Sequence, residues 1–216
     1  MRQRKEARSW RMPDWSTTVA EAVEWRLLAL LLERPRAGWH EEVAGLGREV
    51  PDLTLAAAAQ NAQEAREGEY LSVLGPGGAV SPREVTYRSY EDPGQLLAEL
   101  ATVYEVWAFQ PRAEDPIDHI AVEAGFVGFL FLKEAFAGAR HDGQAAAAVA
   151  AARRAFIATH LAAIVPPLAQ RLEAAGPAYL VQAAHALVAR VPARPATAPR
   201  PPLPDACAAC DPSVSV

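Results

Sequence analysis

Apolar residues recur along this chain at three- and four-residue steps, the spacing of a helix face, and nowhere alternate for long enough to predict strands. Val19, Val23, Leu27, Leu30 and Leu31 predict a helix from about Ser16 to Glu33, capped by Asp14 or Ser16 and stopped by Arg34-Pro35. A shorter helix follows over Trp39–Val50 and ends at Pro51. Asp52 caps a third, carrying Leu53, Leu55 and an alanine run to about Glu67, with Gly68 as its stop. Leu96, Leu97, Leu100, Val103, Tyr104 and Trp107 mark a helix over Pro93–Phe109. The most apolar helix is expected over Asp115–Ala139, with Asp115 as N-cap and Pro116 at the first helical position. Its middle, Gly125–Leu132, is apolar all round, as in a helix enclosed by neighbours. Two more are expected over Gln144–Val165 and Pro167–Arg190, the latter broken at Gly176-Pro177. The fold class is therefore all-α, a single-domain bundle of six to eight helices.

The segments outside this pattern are of three kinds. Residues 1–14 are basic (Arg2, Arg4, Lys5, Arg8, Arg11) and read as a flexible N-terminus preceding the helical domain at 15–190. From Val191 on, seven of 26 residues are proline, so 191–216 is expected to be a disordered tail. Its Cys207-x-x-Cys210 has the spacing of a redox motif or half a zinc site. With no strand before it and no second pair, it reads as two thiols on a flexible end. The Gly75-Pro76-Gly77-Gly78 loop lacks the Gly-Lys-Ser/Thr of a phosphate loop and has Ala79-Val80 instead.

The 216 residues are 51% hydrophobic with a net charge of -5, which excludes a disordered chain and disfavours the usual basic nucleic-acid binder. Unbroken apolar runs such as Gly125–Leu132 stay far short of a bilayer span, and no secretory signal follows the basic start, so no stable membrane insertion and a cytoplasmic location are expected. Charge is concentrated. Between Glu91 and Glu123 lie eight acids and one base, Arg112, a local -7 that leaves the remainder of the chain at +2. Such a field beside a buried apolar helix suits a partner that is basic at one end and apolar next to it, although a solvated acidic face has the same composition.

Within this window, Asp118 is either a capping-box acid at the helix start or a binding carboxylate. His119 and Glu123 stand four apart on one face, a spacing open to a metal, a salt bridge or a hydrogen bond. No His-Glu-x-x-His occurs, no metal or resident cofactor is expected, and no paired acid and base marks a catalytic centre. Arg153-Arg154 falls inside a helical pattern and is no export signal.

Pro116-x-Asp118-His119-x-x-x-Glu123, followed by Phe126, Phe129, Leu130 and Lys133-Glu134, resembles the core signature of the TorD/DmsD/NarJ family of maturation chaperones for molybdenum enzymes. The flanks agree in order: Ser81-Pro82-Arg83-Glu84-x-x-Tyr87, Leu100-x-x-x-Tyr104, and Phe156-x-x-x-His160-Leu161 through Pro166. Glu123-Ala124-Gly125-Phe126-Val127 departs from the Glu-Leu-x-Phe-Met run of many members, and the small Ala124 and Gly125 permit close approach of another helix. The Ser-Pro loop is most similar to the branch serving type II enzymes, which act on hydrocarbons, oxyanions or sulfides. The resemblance implies a TorD-like fold and a binding protein rather than an enzyme. The implied partners are the apo catalytic subunit of a molybdenum oxidoreductase and its twin-arginine leader, held until cofactor insertion by a monomer or dimer. Guanidinium groups pair with carboxylates, so Asp118 and Glu123 are the expected acidic contacts and His119 an orienting group. Pro116, Glu84 and the aromatic walls Tyr87, Tyr104 and Trp107 complete the candidate site. A helical regulatory protein with another client, or a nucleotide or metal hydrolase, remains the alternative reading.

Overall fold

Aspartates start three of the helices, at Asp52 as expected and also at Asp92 and Asp142. The computed structural model describes residues 15–88, 92–111 and 115–192; the expected flexible start, the proline-rich tail and its cysteines lie outside them. Helix α1 (Trp15–Leu32) is followed by α2 (Trp39–Gly47), α3 (Leu53–Asn61) and α4 (Glu67–Leu74). Asp52 caps α3 by accepting from the Thr54 and Leu55 amides at 2.8 and 3.1 Å. Gly68 does not stop that helix. α3 gives way to a 3-10 turn over Ala62–Glu64, and Gly68 falls in the first turn of the separate helix α4. Asp92 caps α5 (Pro93–Val106) through the Gly94 amide, and Asp142 caps α7 (Gly143–Phe156) through that of Ala145.

α6 is Ile120–Ala139, so it begins five residues after the expected Asp115. His119 is its N-cap, Nδ1 accepting from the Ala121 amide at 3.1 Å, while Pro116 lies in the preceding turn. The reason is tertiary: the 118–120 backbone is taken up by the 82–84 loop and cannot close a helical turn. Nor does the chain break at Pro166-Pro167. α7 runs through a π-turn at Ile157–Leu161 directly into α8 (Ala162–Ala175), which contains both prolines; the ladder is re-registered immediately before the two residues that lack N–H donors. The break comes at Gly176-Pro177, before α9 (Ala178–Arg190). With 143–175 taken as one rod, the described residues form eight helical rods and one isolated β-bridge, in a single helical domain. This rod is long and apolar enough to cross a bilayer by length and composition, and half of its most apolar window is buried in the fold.

The core centres on α1 and α6, which lie side by side with α7 and α9 packed around them. Leu27 through Leu32 are all buried, which no single helix face allows; α1 is enclosed there on every side. α6 fits against it because Gly128 has no side chain: a Cβ would stand 3.3 Å from Trp25 Cβ and 3.4 Å from the Ala22 carbonyl oxygen and Arg26 nitrogen. The close approach expected beside Ala124 and Gly125 is thus real but tightest one turn later, since a Cβ on Gly125 meets Ala29 only at 3.7 Å. Trp39 Nε1 and the Tyr70 hydroxyl donate to the Leu30 and Leu32 carbonyls at 2.8 and 3.1 Å, satisfying acceptors at the end of α1. Tyr70 thereby ties α4 to the end of α1.

Candidate functional site

The loop at 80–88 meets the start of α6 as a short antiparallel bridge between Arg83 and His119. The Glu84 amide donates to the Asp118 carbonyl and the Ile120 amide to the Pro82 carbonyl, both at 2.9 Å. This backbone pairing fixes three acidic side chains, each in its own way.

Asp118 is fully buried. Arg83 covers it: Nε lies 2.9 Å from Oδ1 and 3.2 Å from Oδ2, Nη2 lies 2.8 Å from Oδ1, and the Val85 amide adds a contact to Oδ2 at 3.3 Å. The arginine side chain is 39% exposed. Glu84 is also fully buried; Arg88 donates to its Oε1 at 2.6 Å, and His160 Nδ1, from the π-turn, lies 3.0 Å from Oε2. Burial alone would raise its pKa, but the hydrogen bond and charge of His160, then Arg88, hold it below the usual carboxylate range. Glu123 has no such support. Neither oxygen meets strict hydrogen-bonding geometry with a described residue, although the Glu84 carboxyl lies near enough to interact with a proton held on Glu123. Complete burial first, then the neighbouring Glu84 and Asp118, hold its carboxyl protonated well above the ordinary range. His119 is pushed down, chiefly by burial, against the pull of Asp115 and Asp118.

The expected carboxylate-lined pocket is therefore absent at these positions. Asp118 and Glu123 are sealed inside, one under Arg83 and the other with its pKa raised by burial, and Asp118 caps no helix. His119 does not reach Glu123: its Nε2 lies 3.4 Å from the Tyr70 hydroxyl. The charge window is dispersed too. Glu99 and Glu105 are exposed on α5, while Asp115 faces a different cavity.

That cavity is a groove of about 1620 Å³ between α1, α4, α6 and the Gly75–Gly78 loop. Its apolar lining includes Val122, Phe129 and Leu132 of α6, Leu71 and Leu74 of α4, and Phe109. Glu33, Glu42, Glu67 and Asp115 line it along with Arg26, Arg34, Arg36 and Arg83, so the lining charge is balanced. Arg34 pairs with Glu67, and Arg36 with Glu42 at 2.9 Å. Of the sequence candidates, Pro116 and His119 reach the groove. Glu84, Asp118, Glu123, Tyr87, Tyr104 and Trp107 are not among its walls. Tyr104 is core, its hydroxyl donating to the Ile117 carbonyl at 3.0 Å. Tyr87 donates to the Ser81 carbonyl at 2.7 Å with Arg171 over its ring, and Trp107 lies near Lys133. The aromatic walls are instead Tyr70, Phe109 and Phe129, the two phenylalanine ring centroids 5.3 Å apart. Arg83, Tyr70 and His160 were given no role by sequence reasoning. Arg83 and His160 stand within the flanking motifs, whereas Tyr70 lies in the unforeseen α4. Among the described residues no group of three or more metal-ligating side chains converges.

Residues 33–170 match the family model described as nitrate reductase delta subunit. The chain belongs to this NarJ/TorD-type chaperone family. Two curated proteins are similar to it. One is a chlorate reductase assembly chaperone from Ideonella dechloratans, 36% identical over 124 residues, covering 54% of this chain and 62% of that protein. The other is a selenate reductase assembly chaperone from Thauera selenatis, 32% identical over 161 residues, covering 70% and 76%. The chain thus spans a little under two thirds of the first relative and about three quarters of the second.

Proposed function

We propose that this protein is a cytoplasmic assembly chaperone for the catalytic subunit of a molybdenum-containing reductase, and that the groove between α1, α4 and α6 receives the subunit's twin-arginine leader. It acts by binding and catalyses no reaction. The groove carries this reading, because a continuous apolar floor runs beside a polar rim. Val122, Phe129 and Leu132 offer that floor, while Asp115, Glu33 and Glu67 stand among the polar lining groups. A leader has a basic front followed by an apolar stretch, and an apolar groove with charged margins is the usual way such a segment is held. The relatives' named clients, chlorate and selenate reductases, both act on oxyanions; an oxyanion reductase is accordingly the client class we assign.

Binding of a labelled leader peptide from such a subunit, followed by fluorescence anisotropy, tests the assignment. Affinity should fall as salt rises. Leu132→Glu, at a position 53% exposed and so tolerant of change, should weaken binding about tenfold by placing a charge on the apolar floor. Unchanged affinity in folded Leu132→Glu would remove the groove from the reading. Failure of the protein to capture any reductase catalytic subunit on co-purification would remove the client.

A further inference from the structure

Asp118 lies behind the groove, and Arg83, which lines the groove, stands between the carboxylate and solvent. Two guanidinium nitrogens approach Oδ1 at 2.8 and 2.9 Å, and Nε also reaches Oδ2 at 3.2 Å. This is a fork-like arginine–carboxylate contact made by a side chain that is itself 39% exposed. We propose that Asp118 is a guanidinium-binding slot which Arg83 keeps filled in the free protein, and that an arginine of the client leader enters by displacing Arg83. This rests on the leader reading above and deepens it, since it names the group recognised and the residue that must leave.

Three observations carry the exchange. The displaced and entering groups are chemically identical, so Asp118 keeps a partner in both states and no buried carboxylate is left bare. Arg83 already reaches solvent, so its release costs little desolvation. The loop does not depend on the ion pair: the Glu84–Asp118 and Ile120–Pro82 backbone bonds at 2.9 Å, and the Tyr87 bond to the Ser81 carbonyl at 2.7 Å, hold it independently of the Arg83 side chain. The slot also discriminates. A lysine ammonium cannot reproduce the planar fork, so arginine is favoured beyond charge alone.

The test uses Arg83→Ala and Arg83→Lys in the full chain, with a twin-arginine leader peptide and its twin-lysine counterpart. Arg83→Ala should bind the twin-arginine peptide about tenfold more tightly than the unaltered protein, with Arg83→Lys between them. The twin-lysine peptide should gain less than about twofold, which separates slot opening from the general loss of a positive charge. Adding Asp118→Asn to Arg83→Ala should abolish the gain. Independently of any peptide, millimolar methylguanidinium should raise the melting temperature of Arg83→Ala above that in methylammonium, and should not do so for the unaltered protein. A folded Arg83→Ala that is not stabilised by methylguanidinium, or that binds the twin-arginine peptide no better than the unaltered protein, overturns the exchange and leaves the groove reading standing. Stabilisation by methylguanidinium with no peptide binding by any variant keeps the slot, but sinks both the leader's entry into it and the groove reading.

Discussion

Replacing Glu123 with glutamine keeps the side chain's size and removes one proton-binding group from a site closed to solvent. In the unfolded chain this carboxyl titrates near its ordinary pKa of about 4.5, whereas burial and the neighbouring Glu84 keep it protonated to well above that in the folded protein. Above about pH 4.5 the folded state therefore holds a proton that the unfolded state has lost. Stability due to this group falls as pH rises, by about 1.4 kcal/mol per pH unit, until the folded pKa is passed. Other groups act in the same range. His119, with a lowered folded pKa, adds stability as pH rises toward 6.5; partly buried Glu21 subtracts it as Glu123 does. They are common to both proteins and cancel in the difference. Urea unfolding of the unaltered protein and Glu123→Gln at about pH 5 and pH 6 should thus show the variant gaining about 1.4 kcal/mol relative to the parent over that interval, with unchanged m-values. Parallel pH dependences would refute the neutral buried carboxyl, and with it the explanation of why Glu123 tolerates complete burial.

Other expectations follow from the same packing. His160→Ala strips the donor from Glu84 Oε2 in a fully buried site and should cost about 3 kcal/mol in chemical denaturation. Adding Glu84→Gln should return part of that loss, and strict additivity would contradict the coupling. Gly128→Leu should destabilise by about 3 kcal/mol, because the atoms facing it include α1 backbone that cannot rotate away. Gly128→Ala should change stability by less than about 1 kcal/mol, helix propensity offsetting the tight contact. A thermal melt of Gly128→Leu matching the parent would mean that α1 and α6 are not held at this separation.

How far the sequence could be read depended on the range of the interactions involved. The aspartate cap at Asp52 was legible because a cap and its amides lie within three residues of each other, a range that also holds for the caps at Asp92 and Asp142, which the structure added. The start of α6 was misplaced because Asp115, Pro116 and Asp118 have the local chemistry of a helix N-terminus, while the backbone there pairs with a loop 35 residues earlier. α4 was missed because Gly68 is as compatible with a helix stop as with a first turn. The aromatics were half legible: their periodicity marked α5, but periodicity does not say whether Tyr104 or Phe109 meets solvent.

The sequence alone determined the helical class and most rods, through contacts three and four residues apart. Its Pro-x-Asp-His-x-x-x-Glu block and flanking motifs also pointed to the family. Tertiary structure alone decided which acids are available. Asp118 finds Arg83 35 residues away, Glu84 finds His160 76 residues away in addition to the local Arg88, and His119 meets Tyr70 across 49 residues, while Glu123 meets no strict hydrogen-bonding geometry among the described residues. Whether a carboxylate is an exposed contact or a sealed, neutral or paired group depends on what the fold packs over it, and no local pattern encodes that.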